Sequence, residues 1–188
     1  RRQRQMCIRD SRLPFQKKIG AGLTPEEFLD MMEKKKITGH VGLEQSIAMI
    51  ADALELNLQK IKVEPVKPMI AERTVESREI RLEKGRVAGL TQSAYGLIDG
   101  EAFITLVFKA YIGAEEEYDS ITIEGTPNIN QKITPCIHGD LATAAIIVNS
   151  IPKVINAPPG LKTMKDLPVP SAVINDIRCY LKEEGCPK

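Results

Sequence analysis

Both histidines of the sequence stand where the chain changes direction. His40 lies in Gly39-His40-Val41-Gly42. Glycines on either side let the backbone bend there. An imidazole on such a loop can donate a hydrogen bond or move a proton near neutral pH. The same residue could instead satisfy the carbonyls at a helix C-terminus, and spacing leaves both readings open. His138-Gly139-Asp140 precedes an apolar helical pattern. Asp140 has the composition of an N-cap. Thr143 is expected in the first turn, where free N–H groups and the positive end of the helix dipole favour a polar ligand. His138 could reach that ligand or brace the loop. The pair Lys17 and Lys18 could hold a carboxylate or be solvated surface.

Other chemistries find no residues to carry them. There is no Ser/His/Asp arrangement, no metal-ligand cluster and no P-loop. Gly20-Ala21-Gly22 precedes a helix but lacks the third glycine and the βαβ frame of a dinucleotide fingerprint, so that reading is rejected. Cys7, Cys136, Cys179 and Cys186 form no C-x-x-C pair, a spacing that suits neither zinc nor a disulfide framework. The 26 basic and 25 acidic residues nearly cancel, leaving +1, which offers no footprint for nucleic acid. No apolar run is long enough for a bilayer and no secretory signal is visible. With nothing pointing outward, the cytoplasm is the default expectation.

The elements that must position these residues follow from periodicity. Lys17 to Gly22 reads as a glycine loop. Thr24, Pro25 and Glu27 form a capping box with proline at the first helical position, so a helix should run to about Lys35. A second helix is expected from Leu43 to Leu56, with Leu43, Ile47, Ile50 and Leu54 on one stripe. The period then changes from helical to two. Strands are expected at Lys60 to Val66, Ser77 to Glu83, Val87 to Leu97 and Ala102 to Ile112, with Asp99-Gly100 as a hairpin turn. In Ala102 to Ile112 one face is Ile104, Leu106, Phe108, Ala110 and Ile112; the other carries Phe103, Val107 and Tyr111. Ser120 to Glu124 adds a short strand, and Ser77 to Glu124 reads as one antiparallel meander. A last helix should span Asp140 to Ser150 and end at Pro152. Its face of Leu141, Ala144, Ala145, Val148 and Ile151 is smooth enough to lie against a sheet or ligand. Ala172 to Glu184 could form a short helix, and whether residues 172–188 are native is left open.

The class is therefore α+β: an open mixed or antiparallel sheet with helices on one face. The apolar residues on its uncovered face mark an interface, and a sheet-mediated homodimer is expected. Residues 1–11 stand apart. RQMCIRDS resembles translated sequencing-library adapter; the alternative is a natural basic arm. The expected division is an adapter-like segment at 1–11, a substrate and dimerisation domain at 12–156, and an extended, proline-rich wrap and tail at 157–188.

Four stretches go further: RLPFQKKIGAGLTPEEF, GHVGLEQSIAMIADAL, IEGTPNI and HGDLATAAIIVNSIPKVINAPPGLKTMKDLP. Together they resemble the C-terminal domain of the dihydrodipicolinate-reductase-like family, on the branch of the 2,4-diaminopentanoate dehydrogenases and native amine dehydrogenases. The resemblance implies an N-terminal Rossmann domain, missing here, that binds NAD or NADP. It implies that the present domain supplies the dimer sheet and half of a substrate cleft. The reaction implied is reversible oxidative deamination, an amine carbon passing hydride to the nicotinamide. By position, His40 would line the substrate cleft, with Lys17 as a candidate for a substrate carboxylate. His138, Asp140 and Thr143 would face the nicotinamide. The catalytic residue stays unknown, since the family places a proton-transferring carboxylate in the missing domain, and the isolated chain is expected to be inactive. RLPFQKKIGAG lacks the histidine pair of true dihydrodipicolinate reductases, which argues against that substrate. Another imine or carbonyl reductase on the same scaffold, or a non-catalytic ligand-binding and dimerisation module, are the competing readings.

Overall fold

The computed structural model describes residues 13–76 and 80–181. They form two compact units, one ending at His138 and one beginning at Gly139. In the second unit the last long helix bonds to the tail that follows it. Val173 N–H donates to Asn149 Oδ1 at 3.0 Å, and Asn156 Nδ2 donates to the Tyr180 carbonyl at 2.7 Å. The adapter-like segment lies outside the described residues.

In the first unit, α1 (Leu13–Lys18) leads into a turn and then α2 (Pro25–Glu33). Lys17 and Lys18 are thus the last turn of a short helix rather than loop residues. The capping box of α2 forms as expected: Glu27 N–H donates to Thr24 Oγ1 at 3.1 Å, and Thr24 N–H to Glu27 Oε2 at 2.8 Å. The glycine turn is structural. Gly20 has φ +77°, and a Cβ there would stand 2.6 Å from the buried ring of Phe28. The turn is tied to the sheet, since Gly22 N–H donates to the Val87 carbonyl and Val87 N–H to the Leu23 carbonyl. Helix α3 (Leu43–Ala53) follows, with Leu43, Ile47 and Ala51 buried. Leu54, assigned from its period to the inner stripe, is exposed because the helix ends just before it.

The main sheet is antiparallel throughout and open. Its centre is β5 (Val87–Ile98), which pairs along one edge with β6 (Glu101–Tyr111). The turn between them has positive φ at both Asp99 and Gly100, the type I′ geometry that matches strand twist. The other edge of β5 is shared by two short strands. β1 (Lys60–Val63) pairs with residues 94–97, and β2 (Lys67–Ile70) with residues 87–91. The strand expected over Lys60 to Val66 is observed as β1, ending at Val63, and pairing resumes on the same edge with β2 at Lys67 after the irregular stretch Glu64 to Val66. Helices α2 and α3 cover one face. Phe28 and Ile37 pack with Val87, Leu90 and Ala110, while Leu43 and Ile47 pack with Ala94. Ile104, Leu106 and Phe108 join them from β6, as their period of two requires. On the opposite face Phe103 is 62% exposed, Val107 57% and Tyr111 36%.

Two parts of the expected meander leave this sheet. Among the described residues β3 (Val75–Glu76) pairs with β4 (Arg81–Leu82) and not with the main sheet; the expected strand at Ser77 to Glu83 lies partly outside the described residues. β7 (Asp119–Ile123) pairs with β8 (Ile129–Ile133) as a separate ribbon whose residues are all exposed. Local alternation predicts strands but not which sheet they enter.

The second unit opens with α4 (Gly139–Ile155). Pro152 sits inside this helix instead of ending it. A proline lacks the N–H that would bond four residues back, yet the helix continues and Asn156 N–H still reaches the Pro152 carbonyl. Leu141, Val148 and Ile151, on the smooth face, are exposed. The tail is irregular, with a turn at residues 164–166, and a 3-10 turn, Ile177–Tyr180, is the helical part of the expected Ala172 to Glu184 segment among the described residues. Cys179 is disulfide-bonded, contrary to the spacing argument, because sequence separation alone does not fix distance in space. No described helix is long and apolar enough to cross a membrane, and no cluster of potential metal ligands occurs among the described residues.

Candidate functional site

His40 is set by the break between α2 and α3. Gly42, at φ +118°, is the N-cap of α3 and turns the chain back toward the sheet. The imidazole stacks on Phe108 of β6, with ring centroids 4.4 Å apart and planes 23° from parallel. Its Nδ1 is buried and has no hydrogen-bond partner among the described residues. Burial holds His40 below the usual histidine range, because the charged ring would lose hydration. His40 stands on a loop, and its imidazole packs onto the edge of the core.

The residue that sequence reasoning missed is Gln92. It lies on β5 between Leu90 and Ala94, both fully buried on the helix-covered face. Its side-chain oxygen accepts the His40 N–H at 2.8 Å, and its Nε2 donates to the Glu64 carbonyl at 3.1 Å. A polar residue among the apolar inward positions Ala88, Leu90, Ala94 and Ile98 was the available signal. Gly39 makes the approach possible, since a Cβ there would stand 2.2 Å from Gln92 Oε1 and 2.5 Å from Val66 Cγ2. A shallow depression follows the β1–β2 step, lined by Glu64, Pro65, Lys67, Thr91, Gln92, Ser93 and Tyr95. Lys62 pairs with Glu64 there at 2.6 Å and lowers its carboxyl below the usual range.

The remaining sequence candidates occupy two other places. Lys17 is exposed at the C-terminal end of α1, a favourable position for a cation. His138, Asp140 and Thr143 follow one another at the start of α4. His138 and Asp140 are exposed and Gly139 is buried. Asp140 is in the first turn rather than before it. Thr143 is one residue beyond the four whose N–H groups a helix leaves free. What it offers is its hydroxyl, which is buried and without a partner among the described residues.

Residues 14–183 match the family model of the 2,4-diaminopentanoate dehydrogenase C-terminal domain. A curated relative from Acetoanaerobium sticklandii, named 2,4-diaminopentanoate dehydrogenase, is 38% identical over 170 residues, covering 88% of this chain and 48% of the relative. The chain thus spans about half the length of that relative. An amine dehydrogenase structure from Mycobacterium smegmatis superposes with a TM-score of 0.63 at 24% identity, covering 84% of this chain and 47% of that one. That second likeness shows a shared fold. The match over nearly the whole described chain shows more: this chain belongs to the 2,4-diaminopentanoate dehydrogenase C-terminal domain family.

Proposed function

We propose that this chain serves as the substrate-binding and subunit-contacting half of a cytoplasmic, NAD(P)-dependent dehydrogenase that oxidatively deaminates 2,4-diaminopentanoate or a related amine. The observation that carries the reading is the 38% identity sustained over 170 residues. When bound, the nicotinamide supplies the hydride acceptor. The described residues suit such a group at the start of α4: the Thr143 hydroxyl is buried and has no partner among them, and His138 and Asp140 stand exposed near it in sequence. Those three would meet the cofactor. His40 would meet the substrate, with Lys17 as its carboxylate partner. The exposed Phe103, Val107 and Tyr111 face would join two copies.

The test is to express the uninterrupted protein that carries this chain and assay amine-dependent reduction of NAD+ and of NADP+ with 2,4-diaminopentanoate. Turnover is expected with at least one nucleotide. His40→Ala should lower kcat/KM by about tenfold or more, the range of one lost acid–base or charged hydrogen-bond contribution. Reduction of an imine or ketone substrate without amine oxidation would assign another reductase on this scaffold. Absence of turnover with either nucleotide would favour a binding or dimerisation module.

A further inference from the structure

We propose that Gln92 is a positioning residue that pins the His40 backbone so that the ring, laid on Phe108 with Nδ1 buried, stands as its Nε2–H tautomer, and that His40 thereby presents a hydrogen-bond donor and selects a ligand oxygen, a carboxylate or carbonyl, over an ammonium group. The carboxamide of Gln92 is fixed at both ends, its oxygen by the His40 N–H and its nitrogen by the Glu64 carbonyl. It cannot rotate without losing both bonds. Gly39 lets it approach the loop closely. The backbone of His40 is thereby pinned where the ring lies flat on Phe108.

That placement treats the ring nitrogens differently. Nδ1 is buried with no partner among the described residues; Nε2 is not in that state. A neutral imidazole carries its proton on one nitrogen and a lone pair on the other. Buried N–H groups are rarely left orphaned, and a bare acceptor is tolerated more often. The proton therefore belongs on Nε2. Burial, which holds the ring below the usual histidine range, keeps it uncharged at neutral pH. An uncharged Nε2–H pairs with an oxygen lone pair and has nothing to offer a protonated amine. The ligand class rests on the reading of His40 as substrate-facing; the tautomer and the role of Gln92 do not.

The experiment is nitrogen NMR on the 188-residue chain with labelled histidine. His40 and His138 are its two histidines, and exposed His138 serves as an internal control. Expected are an Nε2–H signature for His40 and its conversion to averaged tautomers in Gln92→Met, with His138 unchanged. The His40 amide should exchange with solvent about tenfold faster in that variant, for the loss of one hydrogen bond. An Nδ1–H signature, or a Gln92→Met variant with unaltered His40 signals and exchange, overturns the positioning role. Propionate and propylamine are then titrated separately. A saturable shift of His40 Nε2 with propionate alone supports the ligand class; a shift with propylamine, or with neither, removes that class and leaves the tautomer result standing.

Discussion

Gly39→Ala should damage this protein for a reason visible only in three dimensions. Gly39 is not held at positive φ, so an alanine meets no backbone penalty there. The obstacle is space, with Gln92 Oε1 at 2.2 Å and Val66 Cγ2 at 2.5 Å from the new methyl. A free glutamine end would swing away at little cost. This one holds bonds of 2.8 and 3.1 Å to His40 and Glu64. Displacing it forfeits both, at about 0.5–1.5 kcal/mol each. Crowding against Val66 adds roughly 1 kcal/mol at the low end of overpacking costs. The sum is about 2–4 kcal/mol, or a fall of roughly 5–15 °C in Tm for a chain this long. The assay is thermal unfolding of wild type, Gly39→Ala, Gln92→Ala and the double variant. Because the clash is with Gln92, Gly39→Ala should cost about 1 kcal/mol once Gln92 is truncated, which is a coupling of 1–3 kcal/mol. Melting of Gly39→Ala within about 2 °C of wild type, or an equal cost in both backgrounds, would refute the account.

Thr24→Ala removes one half of the α2 capping box and should lower stability by about 1 kcal/mol, read from urea midpoints. The pH dependence of His40 has a definite sign. Burial holds its folded pKa below the ordinary histidine value of about 6.5, so the unfolded chain binds the proton more readily. Stability is therefore full above about 6.5 and declines as pH falls toward the lower folded value. His40→Gln should flatten that decline when the two proteins are compared by denaturant unfolding. Val107→Asp, on the uncovered sheet face, should shift the chain toward monomer in sedimentation while its Tm changes little; an unaltered sedimentation profile would place any self-association elsewhere.

The parts of this fold legible in the sequence are those decided by nearest neighbours. The α2 capping box needs only Thr24, Pro25 and Glu27, and the Asp99-Gly100 turn needs only two residues able to take positive φ. The alternation in β6 survives because one face meets helices and the other does not. What failed was decided at a distance. Nothing local distinguishes β7, which pairs with β8 alone, from a strand of the main sheet. Pro152 carries an ordinary helix-ending signal, and the helix overrides it. For the candidate site, the glycines around His40 pointed to a special loop. Its grip comes from Gln92, 52 residues away, which no spacing rule reaches.

The shared edge of β5 restricts how this domain can change in length. With β1 in register along residues 94–97 and β2 along 87–91, the three residues Glu64 to Val66 must span a fixed step. One residue inserted or deleted there would turn β2 over, sending Pro68 to the open face and Lys67 and Met69 toward the helices. The β7–β8 ribbon carries no such obligation, since among the described residues its strands pair only with each other. Insertions and deletions should therefore be tolerated at the ribbon's Gly125–Asn128 turn and rejected at the crossover. Residues 64–66 work as a ruler: their number, more than their side chains, keeps the loop that holds His40 in phase with the sheet beneath it.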